Sequence, residues 1–525
     1  MRAQIKKGVN KPAGFPAEEG AQLEKPTEPV TRWALDPSVV GRKGLGMKKK
    51  SNVVIGVDLG TTRVKVIAFD PELGRVLAST AQNYPTAVSA EGGSEQSPSD
   101  WWFAVSAACR EVAGRIDTST ISAIGLSGHM HGLLLLDHSM EPVRPAMTWS
   151  DRRVGSFTEK LSKHARFREL GGNDVVDAFT APKLAWLAKT EPESLRRASH
   201  LLLAKDYLCY RFTGQLGTDV TDAMGTLLWD VKREAWDEEL FLLCGSSSEL
   251  APPVFSSREV RGIVTQEASR ETGFPTGTPV VAGAGDVSAA ALGAGLSDSS
   301  VICLNAGTAA QAMGSVTELH VPDGFVFAKA FGDGFVAMSS VYAAGASIDW
   351  AQNTLFASQP IESLARQSSP GSEGLSYLPF MSGAVIPRKN DTARAAFTGQ
   401  APNHTPAHIA SAVLEGVAFA CADAIESIMR LTGEPLRIHV VGGVANSPTW
   451  KAALSSVLDV PIVRLPEGGS AIGAALLACI GAGISSPAKV LGSIVREQII
   501  RPGDDDVVAY RTARSRFIAA RDLLV

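Results

Sequence analysis

The chain has 525 residues, 45% of them hydrophobic and 20% charged, with a formal net charge of -4. That length exceeds what one hydrophobic core serves, so more than one domain is expected, and a charge so close to balance supplies no field for nucleic acid or an anionic membrane. Cys109, Cys209, Cys244, Cys303, Cys421 and Cys479 form no CxxC pair, which fits a reducing, cytoplasmic compartment and leaves neither a disulfide framework nor a metal knuckle.

Residues 1–46 are rich in Pro, Glu, Lys and Gly and show no apolar period. They are expected to be a disordered extension without the h-region of a signal peptide. Met47 then precedes KKKS and an immediate apolar run. Residues 53–58, VVIGVD, read as a buried strand, residues 59–62, LGTT, as a tight turn, and residues 63–70, RVKVIAFD, as the returning strand. The tip carries Gly60, Thr61 and Thr62, whose backbone N–H groups and hydroxyls suit a phosphate. Asp58 ends the first strand beside that tip, where it would hold Mg2+ directly or through water. An ordinary DxG turn is the alternative reading, and no GxxxxGK[ST] loop surrounds it.

A third strand, RVLAST, follows, and SPSDWW opens a helix whose apolar face includes Trp102, Val105, Ala108 and Val112. Residues 121–126 form a strand that runs into SGHMHG, and residues 133–136 form the next. In that turn His131 would donate to a substrate oxygen; a packed loop with a satisfied histidine is the alternative, and no third metal ligand is evident nearby. Residues 145–153, PAMTWSDRR, place Asp151, Arg152 and Arg153 after an apolar run, as a polyol-binding turn or as a solvated charge cluster. Residues 180–187, TAPKLAWL, start a helix with Pro182 near its first position. Residues 201–214, LLLAKDYLCYRFTG, read as one helix ended by Gly214. Residues 218–223, TDVTDA, read as a polar loop whose carboxylates suit sugar hydroxyls or simply water.

Residues 282–295, AGAGDVSAAALGAG, deliver Asp286 through a tight glycine turn to the start of a helix. The helix N-terminus favours an ionised carboxylate there, which would serve as a general base for a hydroxyl; plain helix capping is the alternative. Residues 300–310, SVICLNAGTAA, repeat the logic of residues 53–63, with Asn305 in the place of Asp58 and Gly307 and Thr308 as a second GT turn. The repeat suggests duplicated halves. Residues 407–431 form a long amphipathic helix with Val413, Val417, Ala420, Ala424 and Ile428 on its core face. Residues 438–441 enter GGVANS, where Gly442 and Gly443 let an adenine lie against the backbone and Asn446 would hydrogen-bond it. Residues 470–481 form a small-residue helix packed tightly against a strand, and residues 510–525 a terminal amphipathic helix.

In their order and spacing, GVDLGTTRVKVIAFD, SEQSPSDWW, IGLSGHMHGLLLLD, RPAMTWSDRR, FTAPKLAWL, AKDYLCYRFTG, AGAGDVSAAALGAG, LNAGTAA and VVGGVANSPTW resemble the FGGY family of carbohydrate kinases, over roughly residues 52–520. The resemblance implies an α/β fold of two actin-like, ribonuclease-H-like domains, residues 47–297 and 298–525, with ATP in the cleft between them. It implies Mg2+-assisted transfer of the γ-phosphoryl group to a ketose, D-xylulose first, with ribulose, gluconate, erythritol or sedoheptulose as alternatives. A non-catalytic sugar-binding regulator is the alternative of another class. Carried over residue by residue, Asp286 matches the catalytic base, Asp58 the residue near Mg2+, Thr61 and Thr62 the first phosphate loop, and Lys65 a basic residue near the transferring phosphate. Gly307 and Thr308 match the second phosphate loop, Gly442, Gly443 and Asn446 the adenosine loop, and Met130 and His131 the sugar contact, with Asp151 on the same side. His129 stands where the most similar members usually carry Gln, Val287 where they carry Asn, and the turn Trp149-Ser150-Asp151 where they read closer to WND. The partners implied are a sugar and ATP, not nucleic acid or a membrane, and a homodimer is left open.

Overall fold

Antiparallel pairing begins with β1 (Val53–Leu59), β2 (Arg63–Asp70) and β3 (Arg75–Asn83). β1 is almost wholly apolar and buried along its length, as a central strand covered on both faces must be. β4 (Ile121–Gly128) runs parallel to β1, and β5 (Pro279–Val281) parallel to β4, so the central order is β5-β4-β1-β2-β3. The chain then repeats this plan. β6 (Val301–Ala306), β7 (Ala310–Val316) and β8 (Phe335–Val341) form the antiparallel ribbon, and β9 (Arg437–Val441) and β10 (Ile462–Arg464) add in parallel, giving β8-β7-β6-β9-β10. Two mixed sheets of one plan, each backed by helices, are the ribonuclease-H-like pair expected from the sequence. The computed structural model describes residues 52–319, 324–356, 359–465, 468–486, 499–500 and 504–524, with single residues 489 and 492; the extension expected at residues 1–46 lies outside them.

Helix α1 (Pro98–Ala113) buries Trp102, Val105, Ala108 and Val112 and packs on β2 and β3. α2 (Asp286–Gly293) joins the halves. α3 (Pro406–Thr432), ended by Gly433, packs on β7 and β8. Among the described residues it is the one helix long and apolar enough to cross a membrane, but 89% of its most apolar window is buried inside the protein. α4 (Pro448–Leu458) and α6 (Asp504–Leu524) pack on one another.

The small-residue helix α5 (Ser470–Gly481) packs on strands as expected, but on those of the other half: β1 and β4, and also on α2. Glycines make this approach possible. A Cβ at Gly56 would lie 2.1 Å from the carbonyl oxygen of Ala471, one at Gly125 1.8 Å from that of Ala474, and one at Gly473 1.8 Å from that of Ala289.

Two sequence readings are corrected. Residues 201–214 are not one helix: His200–Leu202 is a strand paired with Leu134–Leu136, and the helix is Ala204–Thr213. The switch falls at Leu203, the N-cap, whose backbone N–H donates to Asp206 Oδ2, so the helix opens directly after the leucine run. Residues 218–223 are neither loop nor solvated. Thr218–Asp219 is a short strand, Val220–Gly225 a short helix, and Asp219 and Asp222 are buried.

Candidate active site

The β1–β2 register sets Asp58 opposite Lys65, which places both side chains on one face of the ribbon. The turn between them is tied back on itself. Gly60 N–H donates to Arg63 O, the Tyr84 hydroxyl to Gly60 O, and Gln96 Nε2 to Thr61 O at 2.6 Å. Thr62 stays exposed at the tip. Trp149 Nε1 donates to Thr61 Oγ1 at 2.9 Å, joining the tryptophan turn to the β1–β2 turn. Ser470 Oγ, at the start of α5, donates to Asp58 Oδ2 at 2.6 Å, while Asp58 Oδ1 is buried with no hydrogen-bond partner. Burial raises the Asp58 carboxyl above its usual range, against the opposing pull of Ser470, Ser127 and Lys65.

Asp286 is the first residue of α2, as expected, but its electrostatics differ from expectation. Burial and then the charge of Asp58 push its pKa up to about 7, outweighing the N–H groups at the helix start. Its turn touches the turn that carries Met130 and His131, since a Cβ at Gly285 would lie 2.5 Å from Met130 Cγ.

His131 sits at φ +66°, in the left-handed region. Its Nδ1 lies 2.7 Å from the carbonyl oxygen of Gly225, so that nitrogen carries the proton and donates it. Burial pushes its pKa down to about 3, with Lys183 and His129 adding to the shift. The ring is therefore neutral and Nε2 is an acceptor, which reverses the donor role expected for it: a substrate hydroxyl would donate to His131. His129 is buried against the edge of Trp101, with both ring nitrogens lacking hydrogen-bond partners. Asp151 is fully buried and already engaged, by Ser94 N–H at 3.0 Å and by three Arg153 contacts. Burial works to raise its pKa, but these donors win and hold it below the usual carboxylate range. Arg153 also reaches Glu95, so Asp151 and Arg153 are held in ion pairs while Arg152 stays exposed. Lys183 is fully buried, its Nζ held by the carbonyls of Asp177, Ala178 and Phe179 at 2.6–2.9 Å.

In the second half, Gly307 N–H donates to Ala309 O, and the carbonyls of Gly307 and Thr308 accept from Gly345 and Ala346. Thr308 is left exposed. Asn305 faces Gln311 where the first half has Asp58 facing Lys65, so the duplicated turn has lost its charges. Gly442 adopts φ +99°, and a Cβ there would lie 2.4 Å from Ala306 O, so the GGVAN loop lies directly on the second GT turn. Asn446 accepts from Arg464 at 2.7 Å. The structure thus gathers Asp58, Lys65, Asp286, Met130 and His131 on one side, and Gly307, Thr308, Gly442 and Gly443 on the other. Sequence reasoning missed Ser470, because a serine at a helix start carries no sign of which strand it will face.

A doubled ribonuclease-H-like core with two glycine turns and a carboxylate at a helix start is the architecture of an ATPase-type fold. Residues 53–293 match the N-terminal domain, and residues 303–482 the C-terminal domain, of the FGGY family of carbohydrate kinases; the chain belongs to that family. It is 33% identical over 473 residues to a xylulose kinase of Escherichia coli, covering 88% of this chain and 97% of the relative. Among solved structures, a ligand-bound xylulose kinase and a gluconate kinase, both from Lactobacillus acidophilus, each superpose with a TM-score of 0.83 at 26% identity, covering 90% of this chain and 98% of theirs.

Proposed function

We propose that the protein phosphorylates D-xylulose with ATP, giving D-xylulose 5-phosphate, with Asp286 as the general base. The observation that carries the base assignment is the position of Asp286: first residue of a helix, largely withdrawn from water, beside Asp58, with its turn against Met130. The substrate assignment rests on the relatives, several of which are named xylulose kinases. Gluconate is the competing acceptor because a solved relative carries that activity in its name.

Phosphoryl transfer asks the protein for positioning and charge neutralisation more than covalent chemistry. In this reading Asp286 Oδ accepts the proton of the attacking hydroxyl, and its pKa near 7 suits that task at neutral pH. His131 Nε2 accepts from a second sugar hydroxyl, and Met130 supplies an apolar wall. Thr61, Thr62 and Lys65 face the transferring phosphate. Gly307 and Thr308 hold the remaining phosphates, and Gly442, Gly443 and Asn446 hold the adenosine. The orphaned Oδ1 of Asp58, with Asp286 as a second carboxylate close enough to feel its charge, fits a divalent cation. Mg2+ bound with the nucleotide would supply charge neutralisation at the phosphates. Among the described residues no three His, Cys, Asp or Glu side chains form a metal cluster; magnesium typically takes one or two carboxylates plus phosphate oxygens.

The division near residue 297 is proposed as the domain boundary, since it falls between the two family matches. A cytoplasmic location is proposed too, and six free buried thiols support it. The test is product analysis: incubation with ATP, Mg2+ and D-xylulose, then phosphorus–proton correlation of the sugar product. Phosphate on O5 supports the assignment. Free phosphate with no sugar ester, or an ester elsewhere, would overturn it.

A further inference from the structure

Lys205 is fully buried, and its Nζ is met by three carboxylates: Asp206 at 2.6 Å, Asp219 at 3.0 Å and Asp222 at 3.2 Å, each of them buried. One cation among three acids is an expensive arrangement to bury, and none of these groups belongs to the machinery described above. Asp219 continues outward from the lysine. Its Oδ2 accepts from Ser257 Oγ at 2.6 Å, from Thr221 N–H at 3.0 Å and from Thr221 Oγ1 at 2.7 Å. With its proton given to Asp219, Thr221 Oγ1 is an acceptor, and it takes the backbone N–H of Gly285 at 2.8 Å. Gly285 is the residue before Asp286 and the N-cap of α2. At the other end of the same short helix, Val220–Gly225, the carbonyl of Gly225 takes Nδ1–H of His131. Gly128, at the end of β4, lets that strand lie against Lys205: a Cβ there would be 3.1 Å from the lysine Cβ.

We infer that Thr221 is a positioning residue for the base: its hydroxyl, anchored through Asp219 to the buried Lys205 cluster, fixes the Gly285 peptide and with it the aim of Asp286. This rests on the reading of Asp286 as the base. A single rigid helix tied to the base loop at Thr221 and to the sugar-side histidine at Gly225 sets the distance between the two. Misplacement of a reacting group by about 1 Å costs on the order of a hundredfold in rate, so loss of this tie is read in turnover.

The test uses the full chain with Thr221→Val, which keeps the shape and removes the acceptor, and Thr221→Ser, which keeps the hydroxyl. Thr221→Ala, read by the same split, replaces valine should the valine variant not fold. Wild type must first show sugar-dependent ADP release, and Asp286→Asn must lower it by about a hundredfold or more. A failure there sinks the base assignment rather than the role of Thr221. Thr221→Val is expected to lower kcat by about tenfold or more with both KM values little changed, and Thr221→Ser to restore kcat. A kcat near wild type in the valine variant would overturn the inference. So would a loss that the serine variant shares, or a change confined to KM.

Discussion

At Asp286 burial and the charge of Asp58 act in one direction, and together they outweigh the helix start. Asp286→Asn keeps the shape of the side chain and removes its basicity. It is expected to lower kcat by about 10²–10⁴-fold while a fluorescent ATP analogue still binds; near-normal turnover would remove Asp286 from the mechanism. On the proposed nucleotide side, Gly442 is the matching position. Any Cβ there meets Ala306 O while the backbone holds φ +99° and ψ 171°, a conformation all but reserved for glycine that costs a side chain roughly 1–3 kcal/mol. Gly442→Ala is therefore expected to raise the KM for ATP by about tenfold, taking about 1.4 kcal/mol per tenfold, and to leave the sugar KM unchanged. An equal rise in both would place the loop elsewhere. The placement of Asp58 beside a glycine turn and of Asp286 at a helix start was legible in the sequence, because glycine turns flank both. The acceptor role of His131 was not legible, because its tautomer is decided by Gly225, 94 residues away along the chain.

Helices carry the next layer. α3 buries Glu415, whose carboxylate takes the Gly371 N–H at 2.9 Å and the hydroxyls of Ser372 and Ser411 at 3.0 Å. These bonds pin a turn in which Ser372 and Glu373 both have φ near +48°. Burial nonetheless pushes the Glu415 pKa from 4.5 up to about 7. The folded state thus holds this proton more tightly than the unfolded chain does, so stability from this group is present below pH 4.5 and is lost as pH rises through about 7. The loss is on the order of 1–3 kcal/mol. Glu415→Gln cannot ionise. Urea unfolding at pH 5 and pH 8 is expected to show a smaller fall for the variant than for wild type; identical falls would contradict the assignment. The periodicity of α3 was plain from its sequence, and its bounds lie within a residue of those expected. Residues 201–214 misled because Leu201 and Leu202 satisfy a helix face and a buried strand equally well. Pairing with Leu134 and Leu135 decides it, and that pairing is long-range.

Over the whole molecule, α5, which follows β10 of the second sheet in the chain, packs on β1 and β4 of the first. Gly125→Ala would drive a methyl to 1.8 Å from a backbone carbonyl that has no rotamer to escape into. Such overpacking is expected to destabilise by about 3 kcal/mol. The Ser470–Asp58 contact should be disturbed with it, so both the melting temperature and kcat should fall; a variant with wild-type stability would mean that α5 is not so closely seated. The duplication itself was legible, because both copies keep a strand, a GT turn and a returning strand. The seating of α5 was not, since small residues report that something lies close without naming it. The account as a whole rests on sugar-dependent phosphoryl transfer. The most direct measurement is coupled ADP release with ATP and Mg2+ across D-xylulose, D-ribulose, gluconate, glycerol, erythritol and sedoheptulose, with Asp286→Asn as control. The account predicts that D-xylulose gives the highest kcat/KM and that the variant is silent. ADP release that no sugar stimulates would contradict it.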